Sequence, residues 1–243
     1  YPDDYLPLLK KKIAGHWNVG TENILLGAGS SDIIGLACQH VAKTKGHILT
    51  SEPSYKVWNG QASSFGHSFK RIPLSSERKT DLPKVIEAIN SETRMVYFCN
   101  PNNPTGTFVE VSQLKDHTVA ASQKTFVFID EAYTEYAELP SLASLAITNP
   151  NVVVAKTFSK VYGLAGARVG YAVAHPDTIR SLGSYQSWPD AGVSMVSCNA
   201  AMAALDDKEF VAQCREKAKA ARVTCYDCFK KLSLEYIPSS TNF

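Results

Sequence analysis

The sequence lacks any run of about 18 apolar residues, so it offers no candidate membrane-spanning helix. It lacks a charge imbalance as well. Its 25 Lys and Arg stand against 23 Asp and Glu, a formal net charge of +2, which gives no electrostatic case for nucleic acid or an anionic membrane as the main partner. It contains no internal repeat or low-complexity tract, and 44% hydrophobic with 20% charged residues is ordinary globular composition. Tyr1-Pro2-Asp3-Asp4 has no basic segment followed by an apolar one, so it is no signal peptide; it has no initiator Met either, and residues preceding it are expected. The six cysteines, Cys38, Cys99, Cys198, Cys214, Cys225 and Cys228, are scattered through apolar or helix-like stretches. Cys225 and Cys228 form a C-x-x-C, but no second Cys or His pair stands near to complete a zinc site. The expectation is buried free thiols in a reducing cytosol, helix packing for the C-x-x-C, and no metal.

What is present is an alternation of strand-like and helix-like segments. Strands are expected at Ile24–Leu26, His47–Thr50, Phe69–Pro73, Met95–Cys99, Phe126–Ile129, Val152–Ala155 and Arg168–Ala174, with a last one opening at Glu235–Ile237. Helices are expected at Asp32–Val41, Lys56–Phe65, Leu82–Ile89, Ser112–Ser122, Pro176–Ser184, Val196–Leu205 and Glu209–Leu232. Phe126–Ile129 and Val152–Ala155 show no polar alternation, which suits strands buried on both faces. This alternation predicts an α/β fold with a largely parallel sheet. Trp188-Pro189-Asp190-Ala191-Gly192 interrupts the pattern, so a large domain over 1–190 is expected, followed by linking helices and the start of a small α+β domain over 191–243.

Chemistry-bearing residues gather where strands end. Lys160, in Thr157-Phe158-Ser159-Lys160, follows the strand Val152–Ala155. Burying an ammonium there costs several kcal/mol unless it is paired or neutralised, and condensation with an aldehyde neutralises it. Thr157, Ser159 and Arg168 could bind an anionic group nearby. Asp130 ends the strand Phe126–Ile129, where a carboxylate can keep a pyridinium nitrogen protonated, and Tyr133 lies three residues on. Asn100-Pro101-Asn102-Asn103-Pro104-Thr105-Gly106 forms a stiff turn that could present the Asn103 amide. Gly27-Ala28-Gly29-Ser30-Ser31-Asp32 joins a strand to a helix whose N-terminus suits a phosphate; it is neither a Walker A loop nor G-x-G-x-x-G, and Asp32 reads as a first-turn helix residue. Tyr55, in Pro53-Ser54-Tyr55, could cover an aromatic ring. Each has a plainer reading taken singly: a loop lysine, a helix N-cap, a tight turn, a core tyrosine. Together they make a phosphate cradle, an aromatic face, an amide, a carboxylate, a phenol, a lysine and an arginine, all at strand ends.

These motifs, with Tyr1-Pro2-Asp3, Asp130-Glu131-Ala132-Tyr133, Tyr162-Gly163-Leu164-Ala165-Gly166-Ala167-Arg168-Val169-Gly170 and Ser239-Ser240-Thr241-Asn242-Phe243, run along essentially the whole chain. The sequence resembles the fold-type-I pyridoxal-phosphate (PLP) aminotransferases of class I/II, and among them the histidinol-phosphate aminotransferase branch. The resemblance implies a three-layer α/β/α large domain. It implies Lys160 as the cofactor-anchoring lysine and proton shuttle, Asp130 against the pyridine nitrogen, and Tyr133 and Asn103 on the ring hydroxyl oxygen. Tyr55 would stack on the ring, and Ser30, Ser31, Thr157, Ser159 and Arg168 would hold the phosphate.

It also implies amino transfer between a small-molecule donor, histidinol phosphate or an aromatic amino acid, and a 2-oxo acid such as 2-oxoglutarate. A cytoplasmic homodimer is the implied setting. A decarboxylase or lyase with the same ring-holding residues is the nearest alternative, and a non-catalytic binding domain a further one. Against the family pattern, the N-terminal arm and the end of the C-terminal domain are expected to be missing, so the chain reads as a fragment. Gln186–Ser194 also departs from the histidinol-phosphate pattern.

Overall fold

The computed structural model describes residues 4–243; the Tyr1-Pro2-Asp3 segment of the family resemblance lies outside the described residues. Helix α1 (Tyr5–Trp17) buries Leu6, Leu9, Ile13 and Ala14, one face at helical spacing, and ends where Asn18 turns left-handed at φ 54°. Then follow β1 (Ile24–Gly27), α2 (Ser30–Val41), β2 (Gly46–Glu52), α3 (Asn59–Ser64), β3 (His67–Pro73), α4 (Leu82–Glu87) and β4 (Thr93–Cys99). Next come α5 (Val111–Ser122), β5 (Phe126–Asp130), two short helices α6 (Thr134–Ala137) and α7 (Ala143–Ala146), and β6 (Val152–Thr157). The chain continues through β7 (Gly170–Ala174), α8 (Pro176–Gly183), α9 (Met195–Asp206) and α10 (Lys208–Lys231).

The seven strands form one sheet in the order β1-β7-β6-β5-β4-β2-β3. β3, β2, β4, β5 and β6 are mutually parallel, and β7 runs antiparallel to both β6 and β1. Both faces of the central strands are covered, which is why β5 and β6 show no polar alternation. On one face Tyr97, Phe128, Val153 and Ala172 pack against α2, α3 and α8. On the other, Val96, Phe98, Val127, Ile129 and Val154 meet a layer that includes Leu82 and Val85 of α4 and Leu114 of α5. Toward β1 and β7 that second face is covered by Leu9 and Ile13 of α1 and Cys198 and Ala201 of α9. The expected three-layer α/β/α architecture with a mostly parallel sheet is the one observed. No helix among the described residues is long and apolar enough to cross a membrane.

Several local expectations are corrected. Glu235–Ile237 is not a strand: residues 234–239 pair with no sheet edge, and Tyr236 instead stacks on Tyr226 of α10 at 4.6 Å between ring centroids. The seventh strand starts at Gly170 rather than Arg168, because Arg168 takes left-handed backbone (φ 50°, ψ 58°) that a strand cannot hold. The helix expected from Lys56 starts at Asn59, after a turn closed by the Trp58 indole N–H donating to the Tyr55 carbonyl at 2.9 Å. The six thiols are all free, but Cys225 and Cys228 are exposed on α10, which has no buried residue, so they do not pack a helix.

Candidate active site

The parallel strands deliver their C-terminal ends to one edge of the sheet, where α/β proteins bind ligands. The chain leaves β2 outward to β3 and then crosses back to begin β4 on the other side of β2, so the crevice opens beside that reversal. A cavity of about 220 Å³ lies there. Cys99 ends β4, Asp130 ends β5 and Thr157 ends β6, and all three line it. Ser30, Ser31, Tyr55, Asn103, Tyr133, Ser159, Lys160 and Arg168 complete its wall with Ala132 and Ala165. The structure therefore gathers all ten sequence-predicted site residues, which span positions 30 to 168, around one space.

One end of the cavity is built for an anion. Ser30 and Ser31 open α2, and the first N–H groups of a helix have no partner within it. Asp32, in that first turn, accepts from the Ala28 N–H at 3.2 Å and so folds back onto the loop. Gly29 takes φ 90°, open to glycine, and a Cβ there would lie 2.5 Å from Arg168 Nη2. The Arg168 guanidinium donates to the carbonyls of Ala28 and Ala165, each at 2.9 Å, and lies 3.5 Å from Ser159 Oγ. Two carbonyls thus aim it at the helix start. Thr157 Oγ1 accepts from the Ser159 N–H at 3.1 Å and shapes the loop that carries Lys160.

The other end holds a buried carboxylate. Asp130 Oδ1 accepts from the Ala132 N–H at 3.1 Å, and Oδ2 accepts from the Tyr97 hydroxyl at 2.8 Å. Burial pushes the Asp130 carboxyl above its ordinary range, against the Tyr97 hydrogen bond, the Ala132 N–H and the Lys160 charge, which pull it down. Burial also raises the Tyr133 phenol to about 12 and holds the Cys99 thiol protonated. The Asn103 amide lies 3.4 Å from the Tyr133 hydroxyl, and Lys160 Nζ sits 5.1 Å from the Tyr133 ring centroid. Tyr55 reaches Ser31 Oγ at 3.4 Å through its hydroxyl. Behind Asn103, the buried Asn102 accepts from Ser54 and donates to Pro53 O and Thr105 Oγ1, fixing the turn.

This donor set fits pyridoxal phosphate. A helix N-terminus, three hydroxyl side chains besides Thr157 and a guanidinium suit a phosphate dianion, and glycine at position 29 leaves the room a side chain would fill. A buried carboxylate across the cavity, short of a full countercharge, suits a protonated ring nitrogen. The Tyr55 ring in the cavity wall suits an aromatic face, and the Tyr133 phenol beside the Asn103 amide suits a ring hydroxyl oxygen.

Lys160 is only half-buried and lies three residues past the end of β6. The buried lysine of that strand is Lys156, which the sequence reading passed over because the strand extends to Thr157 rather than stopping at Ala155. Lys156 is paired on the spot: Nζ lies 2.7 Å from Glu135, 3.4 Å from Glu131, and donates to Thr134. Burial works against its charge, but Glu135 and Glu131 outweigh it and hold the ammonium above its ordinary range. Sequence reasoning also missed Tyr97, whose cross-strand position opposite Phe128 no local pattern encodes. The C-terminal segment returns to the site: Ser240 N–H donates to Gly106 O at 2.8 Å, and the Phe243 ring meets Tyr133 edge-on at 5.0 Å.

Comparison with known proteins agrees with this geometry. The aminotransferase class I and II family profile matches residues 1–243. A histidinol-phosphate aminotransferase of Bacillus velezensis is 34% identical over 246 residues, covering 100% of this chain and 68% of that protein. Histidinol-phosphate aminotransferase 2 of Carboxydothermus hydrogenoformans is 35% identical over 247 residues, covering 100% and 67%. The crystal structure of histidinol-phosphate aminotransferase from Sinorhizobium meliloti in complex with pyridoxal-5'-phosphate superposes with a TM-score of 0.92 at 30% identity, covering 99% of this chain and 66% of that one. The chain thus spans about two thirds of the length of these relatives.

Proposed function

This chain belongs to the class I and II aminotransferases, which depend on pyridoxal phosphate, and from that premise we propose that its cavity moves an amino group between histidinol phosphate or an aromatic amino acid and a 2-oxo acid such as 2-oxoglutarate. One observation carries the reading. Lys160 and Asp130, brought by the ends of adjacent strands, open into one cavity with an anion cradle between the start of α2 and Arg168. The donor side of the proposal is supported by the relatives named histidinol-phosphate aminotransferases.

When bound, pyridoxal phosphate supplies an aldehyde that captures amines and a ring that accepts the electrons of a bond broken at the amine-bearing carbon. Lys160 Nζ, the one lysine in the cavity wall, would anchor the cofactor; freed by the incoming amine, it would take the proton from the substrate's α-carbon and deliver it to the cofactor's carbon. Asp130 would hold a proton on the ring nitrogen by ion pairing. Asn103 and Tyr133 would orient the ring through its hydroxyl oxygen, Tyr55 would cover its face, and Ser30, Ser31, Thr157, Ser159 and Arg168 would hold the phosphate.

A homodimer is part of the proposal, on the family's usual assembly. So is a cytoplasmic setting, supported by six cysteines that form no disulfide. The test is Lys160→Ala: the visible absorbance band of the bound cofactor changes, borohydride no longer fixes it, and multiple turnover stops. Unchanged absorbance with surviving turnover refutes the assignment. Measuring keto-acid formation against carbon dioxide release separates amino transfer from decarboxylation.

A further inference from the structure

The hydroxyl of Tyr97 is the one side-chain hydrogen-bond partner of Asp130 among the described residues, and its geometry is tightly fixed. Tyr97 lies on β4 at 1% exposure, with its ring stacked on Phe128 at 5.7 Å and 22° between planes. The Trp58 ring packs on it at 4.7 Å. Its phenol titrates well above its ordinary value because burial and the Asp130 charge both oppose ionisation, so it remains a donor throughout the working pH range. Asp130 has two fixed donors, the Tyr97 hydroxyl on Oδ2 and the Ala132 N–H on Oδ1, and the carboxylate still lines the cavity. Tyr97 itself does not line it.

We propose that Tyr97 is a positioning residue for the cofactor's ring nitrogen: its hydroxyl locks the Asp130 carboxylate in one orientation and keeps it anionic in a buried site, so that a carboxylate and not a neutral acid faces the ring. This rests on the reading that Asp130 pairs with that nitrogen. The electrostatics run the same way. Burial is the largest influence on Asp130 and favours the protonated acid, and the Tyr97 hydrogen bond is the largest influence opposing it. A protonated Asp130 would still fill its place but would lose its charge attraction for a pyridinium. Tyr97 therefore acts on affinity and on its acid limb, not on the shape of the cavity.

The experiment is Tyr97→Phe, which keeps the ring and its stacking and deletes only the donor. Cofactor affinity is titrated from acid to alkaline pH for the variant and the wild type. Each is titrated with pyridoxal phosphate and with a carbocyclic analogue carrying C–H in place of the ring nitrogen. Tyr97→Phe is expected to weaken pyridoxal phosphate by about tenfold, the scale of one hydrogen bond to a charged group, and to move the acid limb of binding to higher pH. The analogue, which has no nitrogen to pair, binds both proteins alike. An unchanged affinity and acid limb overturns the proposal, and so does an equal loss for the cofactor and the analogue, which marks a packing role only. If the wild type itself fails to distinguish the cofactor from the analogue, the Asp130 reading falls first and the Tyr97 proposal with it. Should Tyr97→Phe not fold, 3-fluorotyrosine at position 97, a stronger donor of nearly the same shape, carries the test: it moves the acid limb to lower pH, and no movement overturns the proposal.

Discussion

Replacing Gly170 with Ala tests the anion cradle with a single methyl group. Gly170 begins β7 between Gly27 of β1 and Thr157 of β6, and the start of α2 passes directly over it. A Cβ built there would lie 2.5 Å from Gly29 C and 2.6 Å from Ser30 N, both backbone atoms that cannot swing aside as a side-chain tip can. Ordinary carbon contacts lie near ~3.5–4.0 Å, so the backbone at Gly29 and Ser30 must retreat by about 1 Å. Overpacking of this kind costs about 1–3 kcal/mol of stability. A retreat of that size removes at least one helix-terminal N–H from the phosphate, and a hydrogen bond to a charged group is worth about 1.5–3 kcal/mol, or roughly 10- to 100-fold in affinity. The assay is equilibrium titration followed by visible absorbance, with pyridoxal phosphate and with pyridoxal, which has no phosphate. The variant should lose affinity for the phosphorylated form and keep it for pyridoxal. Gly166→Ala, in the same glycine-rich run but with nothing within 4 Å of the added Cβ, serves as the control and should bind like the wild type. Wild-type affinity for pyridoxal phosphate in a folded Gly170→Ala protein, or an equal loss for both ligands, would refute the cradle.

Asp130→Asn should cut pyridoxal phosphate affinity by roughly 10- to 100-fold through loss of the charge facing the ring nitrogen. In the unliganded protein its effect has a pH sign. Burial holds the Asp130 carboxyl above its unfolded value, so the stability that group contributes is present at acid pH and lost as pH rises through the folded value. Urea midpoints should therefore shift in favour of the Asn variant as pH climbs above about 4, and a difference independent of pH would contradict the burial argument. Lys156→Met should destabilise by about 3–5 kcal/mol, because it leaves Glu131 and Glu135 facing each other without their buried cation. Adding Glu131→Gln and Glu135→Gln should recover part of that loss in chemical denaturation, and no recovery would show that packing rather than charge is responsible.

The layers were legible because they rest on local sequence. Val152–Ala155 lacks polar alternation for the plain reason that α-helical layers cover both its faces, and the residues that follow strands β4, β5 and β6 had to fall at the same edge once the strands were parallel. Helix α1 was legible too, in the spacing of Leu6, Leu9 and Ile13, although no expectation covered it. Tyr97 was not legible, since its meeting with Asp130 depends on which residue of β4 stands opposite which residue of β5. Lys156 was hidden by its neighbour: two lysines four positions apart look alike in sequence, and only the true end of β6 shows which one is buried. Glu235–Ile237 was not legible as irregular chain, because what holds it is the packing of Tyr236 on Tyr226 and Phe229 of α10 and not a strand partner.

Strand β1 has a single neighbour, β7, which lies more than a hundred residues later in the chain. As the polypeptide emerges from the ribosome, the serine-bearing loop that follows β1 is therefore made early and anchored late. Until Gly170 and Arg168 arrive, that loop has neither its floor nor its guanidinium clamp. The grip on a phosphate therefore depends on the strand pairing with the greatest separation in sequence.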